Sequence, residues 1–277
     1  MDHDIRHLAR CIAEATKVVA LTGAGISVDS GLGTFRDPGG LWERLDLDEV
    51  MRCGGLLGYS IAKPWEGAEF LAELRDALRD AQPNAGHAAL ARLERDGLLH
   101  AVVTQNVDNL HQRAGSERVV ELHGSFARRR CTGCDDREPV SVAELVASLD
   151  EMIAKLGSFM VSHPAHLLRR CECGGLWRSD VVEFGEPVQG LDEAIEEVSR
   201  ADVLLVCGTS CEVYPAAALP DAARARGALV VEVNPSCTEL RPDVAIRRPA
   251  SDVLHEIGAL LGGWTAASGR PLSAAPA

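Results

Sequence analysis

The chain of 277 residues lacks an excess of basic residues, and it has no internal repeat. It also lacks a long apolar run: a membrane-spanning helix needs about 20 consecutive apolar residues, and no stretch approaches that. With 28 Lys and Arg against 41 Asp and Glu, the formal net charge is −13. Such a chain has no general attraction for phosphate backbones or anionic lipids. Neither nucleic acid nor a membrane surface is therefore expected as a partner, the longest basic run being Arg128-Arg129-Arg130. Met1-Asp2-His3-Asp4 carries no basic and apolar targeting pattern, so a cytoplasmic protein is the expectation. Nothing in the pattern specifies an oligomer, and a monomer is the default. The nine cysteines then need an explanation other than disulfides, which do not persist in a reducing compartment.

Short β-branched runs are present instead. Lys17–Thr22, His100–Thr104, Val119–Leu122, Val203–Cys207 and Ala228–Val233 each read as a buried strand bounded by polar or glycine residues. Helical patterns alternate with them at Ala88–Arg95, Leu191–Arg200, Pro215–Arg226 and Val253–Leu261. That alternation predicts an α/β fold, a doubly wound, Rossmann-like parallel sheet covered by helices on both faces.

Two stretches break the alternation. Gly39–Asp80 has helical periodicity without a strand (Leu41, Trp42, Leu45, then Phe70, Leu71, Leu74, Leu78). Arg128–Arg178 holds four cysteines, with a helix expected over Val142–Leu156. A smaller inserted lobe follows, made of a helical module at 39–83 and a zinc-binding module at 126–178. The discontinuous large lobe would comprise 1–38, 84–125 and 179–264, and the polar tail 265–277 would be disordered.

Cys131-Thr132-Gly133-Cys134 and Cys171-Glu172-Cys173 supply four thiolates, the ligand set of a closed structural zinc site. The spacing is irregular, with a C-x-C second pair and 36 residues between the pairs. Four reduced, unrelated cysteines are the alternative, but knuckle-like glycines (Gly133, Gly174, Gly175) beside both pairs favour the metal. With all four positions filled by sulfur, zinc would hold the fold and take no part in chemistry. Cys53, Cys207, Cys211 and Cys237 lack a pairing signature and are expected as buried packing residues.

Gly23-Ala24-Gly25 follows the first strand and could bring backbone N–H groups to a diphosphate. Two glycines are equally compatible with an ordinary tight turn, since position 28 is Val28 where a third fingerprint glycine would stand. The longer string through Gly31-Leu32-Gly33-Thr34-Phe35-Arg36 adds an aromatic and an arginine to a glycine-rich loop. Further polar clusters end later strands: Gln105-Asn106-Val107-Asp108, His123-Gly124, Gly208-Thr209-Ser210 and Asn234-Pro235. Carboxyl ends of parallel strands open on one crevice, so these clusters converge on a single site. His123 shares that rim with Asp108 and Asn106, as a general base for a sugar hydroxyl requires.

The ordered set GAGIS with FR, PNAGH (Pro83–His87), TQNVDNLH (Thr104–His111), ELHGS, two cysteine pairs, CGG followed by VVEFGE, GTS and VEVNP resembles the sirtuins, the Sir2-type NAD-dependent protein lysine deacylases. The likeness spans roughly residues 8 to 262. It implies that acyl-lysine proteins are substrates and NAD a co-substrate, with nicotinamide and O-acyl-ADP-ribose released through an imidate. By the same likeness, His123 is the base acting on the ribose hydroxyl. Asn106 and Asp108 orient a water and hold the ribose and carboxamide, and Phe35 shields the reactive carbon. Gly23, Ala24, Gly25, Thr34, Arg36, Gln105, Val107, Gly208, Thr209, Ser210, Asn234 and Ala250 match cofactor-contacting positions. Val182 and a Phe184-Gly185-Glu186 strand match the segment that pairs with the substrate backbone.

The chain departs from the pattern in two places. Gly33-Thr34 replaces the usual residues before the FR pair, which implies a looser cofactor loop. Counting back from Pro83, Leu71 and Leu74 occupy the positions where desuccinylases carry a tyrosine and an arginine. Two leucines cannot neutralise a buried carboxylate, so acetyl or longer apolar acyl groups are expected over succinyl and malonyl. A one-residue helix shift that brings Arg75 into place is the alternative. Protein ADP-ribosyl transfer, NAD hydrolysis and non-catalytic sensing of NAD or ADP-ribose are the competing functions.

Overall fold

The fold comes from a computed structural model that describes residues 3–34, 45–158, 161, 163–183 and 185–262. The elements are α1 (His3–Glu14), β1 (Val18–Thr22), α2 (Leu47–Arg52), α3 (Leu56–Ala62), α4 (Pro64–Asp80), α5 (Ala85–Arg95), β2 (Ala101–Thr104), α6 (Leu110–Ala114) and β3 (Val119–Glu121). Then come β4 (Arg128–Cys131), β5 (Arg137–Pro139), α7 (Val142–Gly157), β6 (Trp177–Ser179), α8 (Leu191–Ser199), β7 (Val203–Cys207), α9 (Leu219–Arg224), β8 (Leu229–Val233), β9 (Val244–Ile246) and α10 (Ala250–Leu260).

Six strands form one parallel sheet in the order β3-β2-β1-β7-β8-β9. Side chains alternate between its faces. Val18, Ala20, Val102, Leu205 and Val231 pack with Ile5, Leu8, Leu90, Leu254 and Ile257 of α1, α5 and α10. Val19, Leu21, Val103, Leu204 and Val230 pack with Ala194, Val198, Leu219 and Ala223 of α8 and α9. Because helices cover both faces, β1, β2 and β7 are buried at every position, which is why they read as unbroken apolar runs. Several elements add to those expected from sequence, among them α1, α6, β4, β5, β6 and β9. The amphipathic α1 buries Ile5, Leu8, Ala9 and Ile12, and the three-residue β9 closes the sheet edge beside β8.

The helical expectation for 39–80 is met by α2, α3 and α4 over its described part. Leu41, Trp42 and the tail 265–277 lie outside the described residues. Phe70, Leu71, Leu74 and Leu78 of α4 meet Leu149 and Leu156 of α7 in a separate apolar cluster. α7 begins at a capping box, Ser141 with Glu144, one residue beyond which the apolar period starts. Antiparallel β5-β4-β6 form a second, three-stranded sheet beside it. The basic run seen in the sequence is spent inside the molecule: Arg128 pairs with Glu121 at 2.5 Å and Asp180 at 3.1 Å, and Arg129 pairs with Glu138 at 2.5 Å. Among the described residues no helix is long and apolar enough to cross a membrane.

Candidate active site

The strand order reverses between β1 and β7, so the loops leaving these two strands bound the crevice. They pack backbone against backbone. Gly25 N–H donates to Gly208 O at 2.8 Å and Gly23 N–H to Cys207 O at 3.2 Å. A Cβ on Gly23 would lie 2.7 Å from Thr209 Cβ, and one on Gly25 would lie 2.7 Å from Gly208 Cα. Gly208 has φ +62° and reciprocates the contact. The first reason for glycine at 23, 25 and 208 is thus the meeting of two loops, and the Gly25 N–H is committed to a carbonyl instead of being left for an anion. Ala24–Ser30 then forms a 3-10 turn closed by Gly31 at φ +86°, with Thr34 ending the described part of this loop. Phe35 and Arg36 lie outside the described residues.

Beneath the crevice lies a polar network. Asn106 Nδ2 donates to Gly23 O at 3.2 Å and to Ser27 Oγ at 3.1 Å, and Ser27 Oγ donates to Asp108 Oδ2 at 2.7 Å. Asp108 Oδ1 accepts the Leu110 N–H at 2.9 Å. Burial pushes the Asp108 carboxyl up, against the lowering by the Leu110 N–H and Ser27. On its other flank Asp108 lines a cavity of about 270 Å³ with Leu78, Arg113, Phe126 and Leu145. His87 Nε2 sits 3.4 Å from Ser27 Oγ, and the His111 ring meets the His87 ring edge-on at 4.8 Å. Thr22 links His111, at 2.9 Å, to Thr104, at 2.8 Å. Burial lowers His87 to about 4, and burial plus the neighbouring His87 lowers His111 to about 3. Both are neutral at pH 7.

His123 stands at the end of β3, where its Nδ1 lies 2.9 Å from Gln105 O. A carbonyl only accepts, so Nδ1 carries the proton and Nε2 keeps its lone pair. Burial pushes the imidazole below its ordinary value, opposed by the Gln105 carbonyl. Gln105 Nε2 donates to Thr209 Oγ1 at 2.8 Å, and Asn234 Nδ2 donates to Thr209 O at 3.0 Å. These bonds tie the loops after β2, β7 and β8 together, with Val107 in the first and Ser210 in the second. Ala250 is buried at the start of α10, and its neighbour Ser251 bonds Asp29 of the 3-10 turn.

Val182 N–H donates to His123 O at 2.9 Å. Of the strand expected over 184–186, the described Gly185 and Glu186 lie in a turn: Glu186 N–H donates to Glu183 O at 3.0 Å, and Gly185 has φ +90°. Phe184 lies outside the described residues. Leu71 and Leu74 are 5% exposed in the α4–α7 cluster. Arg75, the alternative to them, is bound by Asp76 at 2.9 Å and Asp150 at 2.7 Å and so is committed elsewhere.

The sulfur ligand atoms of Cys131, Cys134, Cys171 and Cys173 all lie within 4.8 Å of one another. A tetrahedron with Zn–S bonds of about 2.3 Å has edges of about 3.8 Å; here Cys134 and Cys171 are 3.8 Å apart, and Cys131 and Cys173 are 3.4 Å apart. Glycine is required beside them, because a Cβ on Gly175 would lie 2.7 Å from Cys131 Sγ and one on Gly133 would lie 3.0 Å from Cys173 Sγ. The four residues fit a zinc ion. The remaining cysteines correct the sequence reading: Cys207 is buried as expected, but Cys53 and Cys211 are half-buried and Cys237 is exposed.

Ser27, His87, His111 and Thr22 carry the network, yet the sequence reading gives them no part. Their strings, GAGIS, PNAGH and TQNVDNLH, are visible in sequence. Their mutual contacts exist only once β1 and β2 pair with Thr22 opposite Thr104. Asn84 is a further case: it caps α5 while its Nδ2 donates to Ile26 O at 2.7 Å and Ser30 Oγ at 2.9 Å, fixing the 3-10 turn.

A family model described as "Sir2 family" matches residues 23–215. The NAD-dependent protein deacylase of Desulfosudis oleivorans is 40% identical over 237 residues, covering 85% of this chain and 87% of the relative. A solved complex of a Sir2 homologue with NAD is 40% identical, with TM-score 0.74 and coverage of 94% of this chain and 93% of that one. A Sir2 complex with a p53 peptide and NAD is 31% identical, with TM-score 0.70, covering 93% and 97%.

Proposed function

The chain belongs to the Sir2 family, and from that premise we propose that it is an NAD-dependent protein lysine deacylase acting on acyl-lysine proteins. The observation that carries the reading is His123 after β3 with its Nδ1 held by Gln105 O, the residue that opens the loop bearing Asn106 and Asp108. We also propose the lobe division 1–38, 84–125 and 179–264 against 39–83 and 126–178, with substrate entering between.

When bound, NAD supplies a glycosidic carbon that loses nicotinamide and an ADP-ribose that carries the acyl group away. The chain's own residues do the rest. The loops of Gly23, Ala24, Gly25, Gly208, Thr209 and Ser210 form the floor of the crevice, and Gln105, Val107, Asn234 and Ala250 complete the cofactor side with Thr34, Phe35 and Arg36. Asn106 spends its Nδ2 on Gly23 and Ser27, which leaves Oδ1 to orient a water or hydroxyl. Asp108 is held by Ser27 and Leu110 and stands ready to accept from a ribose hydroxyl. His123 Nε2 takes a hydroxyl proton; being neutral at pH 7, it needs no prior deprotonation. Val182, Phe184, Gly185 and Glu186 receive the peptide backbone as an added strand. Zinc on Cys131, Cys134, Cys171 and Cys173 would be structural.

Nicotinamide release measured with and without acyl-lysine peptides tests the reading. Peptide-dependent release supports deacylation, peptide-independent release would indicate NAD hydrolysis or ADP-ribosyl transfer, and no release would indicate a sensor. With Leu71 and Leu74 in an apolar core and Arg75 committed to Asp76 and Asp150, acetyl, butyryl or myristoyl peptides should be used in preference to succinyl. A succinyl preference refutes the acyl-pocket assignment.

A further inference from the structure

Glu183 interrupts the apolar run of VVEFGE, between Val182 and Gly185, and the mechanism above gives it no part. A carboxylate next to two valines ordinarily turns to water. This one is half-buried and crosses to the helical region, where Oε2 accepts the Leu56 N–H at 3.2 Å in the first turn of α3. Gly55 makes room for it. It has φ +102°, and a Cβ there would collide with the Glu183 carboxylate.

The rest of the segment is fastened on its other sides. Val182 N–H is bound to His123 O at 2.9 Å. Glu186 accepts the Glu183 N–H at 3.1 Å and the Arg178 guanidinium at 2.5 Å. Val182, Glu183 and Glu186 are thus joined to the backbone of His123 and to β6, and through Glu183 to α3. Burial raises the Glu183 carboxyl, with Glu186 adding to the effect and Arg178 and the Leu56 N–H opposing it, consistent with a side chain held out of water.

We propose that Glu183 is a positioning residue: a carboxylate latch that fixes the distance between the peptide-receiving segment and α3, and so sets the groove an acyl-lysine peptide must enter. The proposal rests on the reading of 182–186 as that segment. It predicts a split between peptide affinity and chemistry, because the latch touches neither the cofactor loops nor His123 Nε2.

The test is steady-state nicotinamide release by the full chain, with an acetyl-lysine peptide and NAD varied in turn. Losing a hydrogen bond to a charged acceptor is worth about a factor of ten or more, so Glu183→Ala should raise the peptide KM about tenfold while kcat and the KM for NAD stay within about twofold. Glu183→Gln keeps a carbonyl acceptor for the Leu56 N–H and should recover most of the peptide KM. Glu183→Asp, one methylene too short to reach, should behave like the alanine variant. An unchanged peptide KM in Glu183→Ala, no recovery in Glu183→Gln, or a parallel fall of kcat and NAD affinity overturns the latch. A wild-type protein with no peptide-dependent release overturns the deacylase reading, and the latch with it.

Discussion

Gly25→Ala is the sharpest probe of how the crevice is built. Gly25 and Gly208 are joined by a backbone hydrogen bond of 2.8 Å. A Cβ on Gly25 would stand 2.7 Å from Gly208 Cα, 2.8 Å from its O and 3.0 Å from its carbonyl carbon. Ordinary carbon separations are about 3.5–4.0 Å, and all three atoms are backbone, so no rotamer relieves the clash. The loops must separate. Overpacking of this kind costs about 1–3 kcal/mol, and the strained hydrogen bond adds about 1 kcal/mol. At about 2–4 °C per kcal/mol for a chain of this size, Tm should fall by roughly 4–16 °C. Gly33→Ala is the control in the same glycine-rich string: among the described residues its Cβ would meet nothing within 4 Å, and its φ is not in the left-handed region. It should be neutral, or stabilise by about 0.4–1 kcal/mol through the unfolded chain. Thermal denaturation and NAD calorimetry of the two variants decide the matter, with Gly25→Ala expected to lose at least about tenfold in NAD affinity, or about 1.4 kcal/mol. Matching Tm and NAD affinity in the two variants would refute the loop-packing argument.

His123→Ala should abolish deacylation while NAD still binds, and near-normal turnover would remove His123 from the mechanism. In the wild type, kcat/KM should fall with acid only below the ordinary histidine value of 6.5, because burial lowers the folded pKa; an acid limb centred above that value contradicts the assignment. Cys131→Ser or Cys173→Ser should release the metal and loosen β4–β6, and metal analysis of the wild type should find close to one zinc per chain. His87 and His111 titrate at about 4 and about 3 in the fold, against 6.5 unfolded, so between those values the unfolded chain binds more protons. Stability present above pH 6.5 should therefore be lost as pH falls toward 4. In a pH series of denaturant melts, His111→Gln should flatten that slope, and an unchanged slope would argue against a buried neutral ring.

The strands were legible because their period is imposed by burial on both faces, which only continuous apolar runs satisfy. β9 was not, since Val244-Ala245-Ile246 stands between Asp243 and Arg247 with Ala245 exposed, whereas β3 at the opposite edge belongs to a longer run that continues into the buried Leu122. The strand-end clusters were legible for a topological reason, as parallel strands present their carboxyl ends together. The histidine pair under the site was not, because His87 and His111 lie on α5 and α6 and meet only through tertiary packing. Nor was the fate of Arg128-Arg129-Arg130, whose carboxylate partners include Glu121, Glu138 and Asp180, up to about fifty positions away.

Local patterning by itself implied the doubly wound sheet and the four-cysteine ligand set, since periodicity and ligand spacing are properties of short segments, and the ordered motif strings carried the likeness to the family. Tertiary structure decided why Gly23, Gly25 and Gly208 are glycines, which imidazole nitrogen of His123 is free, and where Glu183 reaches. Each depends on the separation of atoms from distant segments, which no local pattern encodes. The glycines answer to a loop that begins some 180 positions later in the chain, and the His123 tautomer answers to one carbonyl on the neighbouring strand's loop.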